Sequence, residues 1–442
     1  MHRTSPANAW SSTAANSQAE VNNRFNVGLD NRWYALAVFF AIAVVNYLDR
    51  TLLAILQVPI KRELGLTDAQ MGGLIGLAFA IFYTGFSLPI ARLADRTMRK
   101  AVIAVCLLIW CAATASTSMA AGFAALVALR IGVAIGEAGS VPATHSMISD
   151  YFAPQRRATA LSLLGLSLPL GTLLGFKLGG WLAENVGWRE AFLYIGAAGA
   201  LLAPLLMLTV REPERGRHDQ AATELPSLGQ AFGLLWRLRS FRLLALAGGL
   251  TAYVQHTMLA WNAPFYSRVF GLPLADVAGY LALMNGAGGA VGLYCGGYLA
   301  DRIGKRQPHG YLMVPALGVL AVAPIGALQY LSPDTTVSLV CGFFTSAFIV
   351  FYFAPIVSAA HMLVLPRMRA LTSAMLVLIV NLIGVGLGPL VTGRISDMLA
   401  VGHGQASLRY AITAAMVVAL AAAWLWWRAS RHFVLERPDG AR

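Results

Sequence analysis

Apolar residues along this chain gather in long unbroken blocks, not in the alternation of a strand or the narrow stripe of a soluble helix. Twelve blocks stand out, near 33–60, 68–93, 100–119, 122–151, 157–183, 189–210, 242–266, 274–299, 310–330, 335–364, 370–396 and 407–427. A helix needs about 20 apolar residues to cross a bilayer, and each block supplies that length. The pattern therefore predicts twelve membrane spans, numbered here one to twelve. The longest polar interruption, 212–241, separates six spans in 32–211 from six in 242–428. Within it, LGQAFGLLWRLRSFRLL places apolar residues at helical spacing among Arg237, Arg239 and Arg242. That suits either a helix lying on the membrane surface or a plain linker.

Composition and charge placement sharpen this picture. Charged residues make up 12% of the chain, about half the usual share in soluble domains. The net charge of +13 raises nucleic acid as a partner, but its distribution argues against that. If the segments between spans alternate sides, the side with both termini holds 24 of the 33 Lys and Arg residues and the other side holds 6. Basic excess on one side marks the cytoplasm, so both termini are expected there, with the positive charge facing membrane lipids. The same reading makes 1–31 a disordered cytoplasmic tail and 429–442 a second tail. No apolar stretch followed by a small-residue cleavage site opens the chain, so no signal peptide is expected. The four cysteines fall inside spans without metal-ligand spacing, so neither disulfides nor a metal site are expected. Cofactors are expected to be none.

The halves repeat one another. LADR at Leu93–Arg96 recurs at Leu299–Arg302, PQRRATA from Pro154 lines up with PRMRALT from Pro366, and LGFKLGGWLAE from Leu174 lines up with LGPLVTGRISD from Leu387. The offsets of 206, 212 and 213 are nearly constant. Duplication of a six-span unit points to a secondary transporter with its site between the repeats. Enzyme chemistry finds no support: the chain lacks H-E-x-x-H and the phosphate-cradling G-x-x-x-x-G-K-[ST], and GEAGS sits inside a span without a base at any recognisable spacing.

Charges inside the spans are the candidate chemistry. Span one holds Asp49 and Arg50, and span four holds Arg130 and Glu137. A charge at the centre of a membrane helix costs about 2.5–3.5 kcal/mol on insertion scales. These four sum to zero, as a buried network must approach. Arg130 and Glu137, seven residues apart, share one helix face about 10 Å apart. With the termini inside, Asp49 lies about 16 Å and Arg130 about 14 Å below the outer ends of their helices, so they are expected to meet, with Glu137 deeper. The quartet is either purely structural or a proton and anion site. In the second case Asp49 and Glu137 carry protons, while Arg50 and Arg130 hold an anionic headgroup through their planar guanidinium forks. Further candidates are Lys177, answered by Glu184, and His145 and His256, each a pH switch or a histidine bonded to backbone. Asn46, Tyr47, Tyr83, Trp261 and Asn381 complete the expected lining, and the glycines at 171, 175, 179, 384, 386 and 388 permit close helix approach.

GGYLADRIGKR, Gly296 to Arg306, resembles the major facilitator superfamily signature G-x-x-x-D-R-x-G-[RK]-[RK], and ARLADRTMRK is a diverged first copy. The resemblance implies the major facilitator superfamily fold: an all-α membrane protein with twelve transmembrane helices in two pseudo-symmetric six-helix bundles, working as a monomer. It also implies a conformational latch on the cytoplasmic side, involving Asp95, Arg96, Arg99, Lys100, Arg157, Asp301, Arg302, Lys305, Arg306 and Arg369. NYLDR, the GLTDAQ-to-LADR stretch and RIGVAIGEAGS together resemble the spinster-like branch. That likeness implies proton-coupled movement of a lysophospholipid or sphingoid-like amphiphile across the inner membrane. An organic anion:proton symporter shares NY-x-DR and R-x5-GEA and stands as the alternative. A receptor or a lipid scramblase on the same scaffold has little use for paired latches.

Overall fold

The computed structural model describes residues 31–215, 228–364, 368–433 and 435–436. The expected tails, apart from the residues just named, and positions 216–227, Pro366 and Arg367 lie outside the described residues. The rest is helical. Span one is Arg32–Leu64, started by Asn31, whose side chain accepts the Trp33 and Tyr34 N–H groups, and ended by Gly65 in the left-handed region at φ 64°. Thr67 and Gln70 then form a reciprocal capping box that starts span two, Asp68–Arg96. Such a box satisfies two N–H groups that a helix start otherwise leaves bare.

Spans three to six follow as Arg99–Met119, Phe123–Tyr151, Gln155–Asn185 and Trp188–Thr209, and span seven is Arg239–Val269. Span eight, 274–304, is built of three consecutive helical segments. Spans nine and ten are Gly310–Leu331 and Thr335–Met362. The apolar stretch Leu371–Phe433 divides at Gly404, φ 53°, into span eleven, 369–403, and span twelve, Ser407–Phe433. The polar interruption carries its own helix, Leu228–Arg237. It is shorter than the seventeen-residue pattern suggests: Leu238 is extended (ψ 116°), and Arg239 and Arg242 belong to span seven.

Three spans contain a π-helical turn: GLIGLA (73–78) in span two, LMNGAG (283–288) in span eight and NLIGVGL (381–387) in span eleven. Wide turns of this kind occur at functional positions. Here they lie where the halves touch. Spans two and eleven pack so closely that a side chain on Gly72 would meet the Pro389 carbonyl, and one on Gly76 would meet Val385 O. Spans five and eight pair likewise, Gly180 against Ala278 and Gly286 against Leu173. Within the first half, Gly171, Gly175 and Gly179 seat span five directly on span one, against Val44 O, Leu48 O and Ile55. Small residues let backbones approach where no hydrophobic drive exists in lipid.

The Gly72 contact makes the fold testable. Gly72→Ala is expected to push span two off span eleven and lengthen the distance between spin labels at Arg62 and Val401, both exposed at that end. An unchanged distance distribution would show that the close approach is incidental.

Candidate functional site

The four intramembrane charges come together in the first half. Arg50 Nε donates to Glu137 Oε2 at 2.7 Å, and Arg130 Nη1 lies 4.0 Å from Asp49 Oδ2. Thr114 Oγ1, from span three, donates to Asp49 Oδ1 at 2.9 Å. Thus Asp49 and Arg130 face each other as the helical rise predicts, while the tighter pair is Arg50 with Glu137. The rings below are part of the arrangement: the Phe79 centroid is 4.7 Å from both the Arg50 and Arg130 guanidinium carbons. Tyr83, stacked on Phe79 at 5.3 Å, lies 4.9 Å from Arg50, and Tyr47 lies 5.8 Å from it. Each such cation–π contact contributes about 0.5–2 kcal/mol and screens one arginine from the other.

The quartet is unevenly accessible. The side chains of Glu137, Asp49 and Arg130 are 0%, 3% and 8% exposed, against 29% for Arg50. Asp49 Oδ2, Glu137 Oε1, Arg130 Nε and the neighbouring Asn46 Nδ2 are buried without a hydrogen-bond partner. A buried ion pair with unspent donors and acceptors is costly to hold and ready to exchange partners. Beside Asp49 lies a cavity of about 20 Å³ reached by Thr114, Thr117 and Arg130, the size of a single water.

Among the described residues the second half holds a neutral network, near the turn that joins spans nine and ten. Tyr330 donates to Asn262 Oδ1 at 2.7 Å, Thr345 to Gln329 Oε1 at 2.7 Å, and Ser338 to Gln329 O at 2.7 Å, with the Tyr266 hydroxyl beside Gln329 and Ser338. Spans seven, nine and ten are thus joined by neutral hydrogen bonds, and spans one, three and four by charge. Between spans five, seven, eight and ten runs a mostly apolar slot of about 100 Å³, lined by Leu168, Met258, Leu259, Leu293, Ile349 and Phe353 among others. Nearer Arg50, spans one, four and five enclose a cavity of about 270 Å³ that includes Asn46, Tyr47 and His145.

Other candidates take different places. Trp261 is fully buried and donates to Pro389 O at 3.0 Å, so in this state it packs span seven on span eleven and lines no slot. Lys177 is exposed, and Glu184 accepts the Ala275 N–H at 2.7 Å; the expected Lys177–Glu184 answer is absent from the observed ion pairs. His256 Nδ1 meets Ala252 O at 2.9 Å. Half-buried Asn381 opens the π turn of span eleven.

The bonds observed for Arg99, Lys100, Arg157, Asp301 and Arg302 lie within their own halves. Buried Arg99 joins Glu212 Oε1 at 3.1 Å, Ser146 at 3.0 Å, Pro213 O at 2.9 Å and Asp150. Lys100, with no exposed surface, donates to Met207 O and Val210 O at 3.2 and 3.1 Å. Arg215 holds the carbonyls of Ala94, Asp95 and Thr97 that end span two. Arg157 donates to Ser149 O at 2.8 Å, and Asp301 accepts from Tyr311 at 3.0 Å while Arg302 donates to the Tyr298 hydroxyl at 3.2 Å. Asp95, Arg96, Lys305, Arg306 and Arg369 are exposed.

The bonds observed between halves gather at the opposite end, around Asp68, which pattern reading passes over. Its carboxylate accepts from Lys61 Nζ at 2.5 Å, Arg268 Nη1 at 2.9 Å and Ser396 Oγ at 2.8 Å. Asp397 in turn accepts the Asp68 and Ala69 N–H groups at 2.9 and 2.8 Å, a carboxylate seated on the start of span two where the helix dipole favours it. Glu184 makes the same contact with the start of span eight through Ala275. Glu184 and Asp397 are the acids that end the two copies of the third repeat. The repeat therefore carried a signal for this closure, although nothing in it says what the acids meet.

Asp397→Ala removes two bonds, each crossing the halves; hydrogen bonds to a charged acceptor contribute about 1.5–3 kcal/mol apiece. A single cysteine at Thr392, fully buried below the cluster, is expected to become reactive toward a membrane-impermeant maleimide in this variant. Equal protection with and without Asp397 would separate the cluster from closure.

The Major Facilitator Superfamily profile matches residues 39–389. An MFS-type efflux pump of Mycolicibacterium smegmatis is 33% identical over 412 residues, covering 93% of this chain and 95% of that protein. Protein spinster homolog 3 of Danio rerio is 27% identical over 386 residues, 83% of this chain and 77% of its own. The crystal structure of a bacterial homolog to the human lysosomal transporter spinster, inward-facing and unoccupied, superposes with a TM-score of 0.84 at 30% identity, covering 92% of this chain and 98% of that one.

Proposed function

Because the chain belongs to the Major Facilitator Superfamily and is a multi-pass membrane transporter, we propose that it moves an anionic amphiphile by proton-coupled alternating access. The observation that carries this reading is the exposure gradient across the quartet: Arg50 alone offers its guanidinium to the open space, while its partner Glu137 is wholly buried. An incoming anionic group competes with Glu137 for Arg50. Once Arg50 turns to the ligand, a buried carboxylate is left without its counter-charge, a state that favours taking up a proton. Binding and protonation are coupled through one side chain. Asp49, held by Thr114 and Arg130, is the second proton site of the scheme.

An amphiphile suits the surroundings better than a small acid does. The slot between spans five, seven, eight and ten is lined chiefly by aliphatic and aromatic side chains, a wall for a tail and a poor home for a second charge. The basic excess on the termini side supports an inner-membrane orientation with both ends in the cytoplasm. The cluster at Asp68 and Asp397 then closes the outer face, and the protein stands inward-facing. The bundles 32–211 and 242–428 rock about the spans two–eleven and five–eight contacts, the chain acting as a monomer. The loops at Asp95 and Asp301 close the cytoplasmic side in the opposite state.

Reconstituted vesicles test the scheme. An inside-outside pH difference is expected to accelerate lysophosphatidic acid flux by the native protein, and Glu137→Gln to abolish that acceleration. Arg50→Gln is expected to weaken binding of the same lipid at least tenfold, about 1.4 kcal/mol. Flux that ignores the pH gradient in the native protein, or an acceleration that survives Glu137→Gln, would remove proton coupling through this residue.

A further inference from the structure

The cavity of about 270 Å³ between spans one, four and five differs in chemistry from both the charged quartet and the apolar slot. Its polar lining is Asn46, Tyr47, Ser140, Thr144 and Ser167, with His145 at its edge. Asn46, Ser140, Thr144 and Ser167 are each 5% exposed or less. The Asn46 amide nitrogen is buried with no hydrogen-bond partner, although an unpaired buried donor costs about 1–3 kcal/mol. Among the described residues, no carboxylate, lysine or arginine lines the space. Phe39, Ile42 and Leu161 close its other side. A water's share of liquid volume is about 30 Å³, so the cavity holds a group of several heavy atoms.

Its position relative to Arg50 is fixed by span one. Asn46 precedes Arg50 by four residues, one helical turn or about 6 Å of rise on the same face. Tyr47 lines the cavity and its ring lies 5.8 Å from the Arg50 guanidinium. A ligand whose anionic group sits on Arg50 therefore extends any further polar part directly into this cavity, while its tail runs toward the slot between the halves.

We infer that this cavity is a headgroup-selecting subsite for an uncharged, hydroxyl-rich group attached beyond the ligand's anionic centre. The inference rests on the anionic-amphiphile reading of the site. Hydroxyls both donate and accept, and so match an amide and four hydroxyl side chains that do the same. A quaternary ammonium has no hydrogen to donate and finds no carboxylate here. Placing it in the cavity leaves Asn46 and its neighbours unpaired and desolvates a cation without compensation. Selection between a polyol head and a choline head follows from the absence of charge as much as from the presence of donors.

Equilibrium binding of three lysolipids with one acyl chain to the full-length protein in nanodiscs tests this. Lysophosphatidylglycerol carries a glycerol beyond the phosphate, lysophosphatidylcholine a quaternary ammonium, and lysophosphatidic acid nothing. The native protein is expected to prefer the glycerol head to the choline head about tenfold. Asn46→Ala and Thr144→Val are each expected to lower affinity for lysophosphatidylglycerol about tenfold more than for lysophosphatidic acid, erasing the preference. Choline bound as well as glycerol, or a preference that survives both variants, overturns the subsite while leaving Arg50 as the anion site. Failure of all three lipids to bind saturably removes the amphiphile reading and this inference with it. If either variant loses its monodisperse folded form, Ser167→Ala replaces it, with the same expected loss of preference.

Discussion

The structure depends on keeping four charges in the membrane without letting them settle. Arg50 and Glu137 form a close pair at 2.7 Å, yet Asp49 and Arg130 stand at 4.0 Å and polar atoms of the group lack hydrogen bonds. Neutrality makes burial tolerable; incomplete pairing keeps it exchangeable. Much of the first half serves this compromise. The glycine face of span five brings it onto span one, span three supplies Thr114, and span two supplies Phe79, whose ring separates the two guanidinium groups. The second half, which repeats the first in sequence, has a neutral network near the turn between spans nine and ten, and the apolar slot lies between the halves, with span five on one side and spans seven, eight and ten on the other.

Motion is organised around the contacts between the halves. Paired carboxylates, Asp397 and Glu184, sit on the starts of spans two and eight, and the π turns of spans two and eleven lie directly below. These polar contacts sit on an apolar cluster that joins both halves, with Leu56, Met71 and Leu74 packed among Trp261, Phe265 and Ala278. Beside the first LADR copy, Arg99 and Lys100 are meanwhile bonded inside their own bundle, and Asp95, Arg96, Lys305 and Arg306 are exposed. In this state one end of the molecule is fastened and the charged loops at the other are not engaged with each other through these bonds.

The sequence by itself determined the spans, the duplication, the identity of the buried charges and, through helical rise alone, the meeting of Asp49 with Arg130. Those features follow from constraints that act along the chain: bilayer thickness sets span length, backbone satisfaction imposes helix, and the high cost of intramembrane charge makes every such residue conspicuous. Tertiary structure decided partners. Arg50 holds Glu137 because span one docks with that side chain facing span four; Arg130, about 10 Å along the same helix as Glu137, is out of reach by rise alone. Trp261 became a packing residue and Lys177 was left without Glu184 for the same reason, since faces and neighbours are fixed only when helices dock. Asp68 was invisible in the pattern because an acid at the start of a helix reads as an ordinary cap; only the docking of spans seven and eleven made it the centre of a closure between the halves.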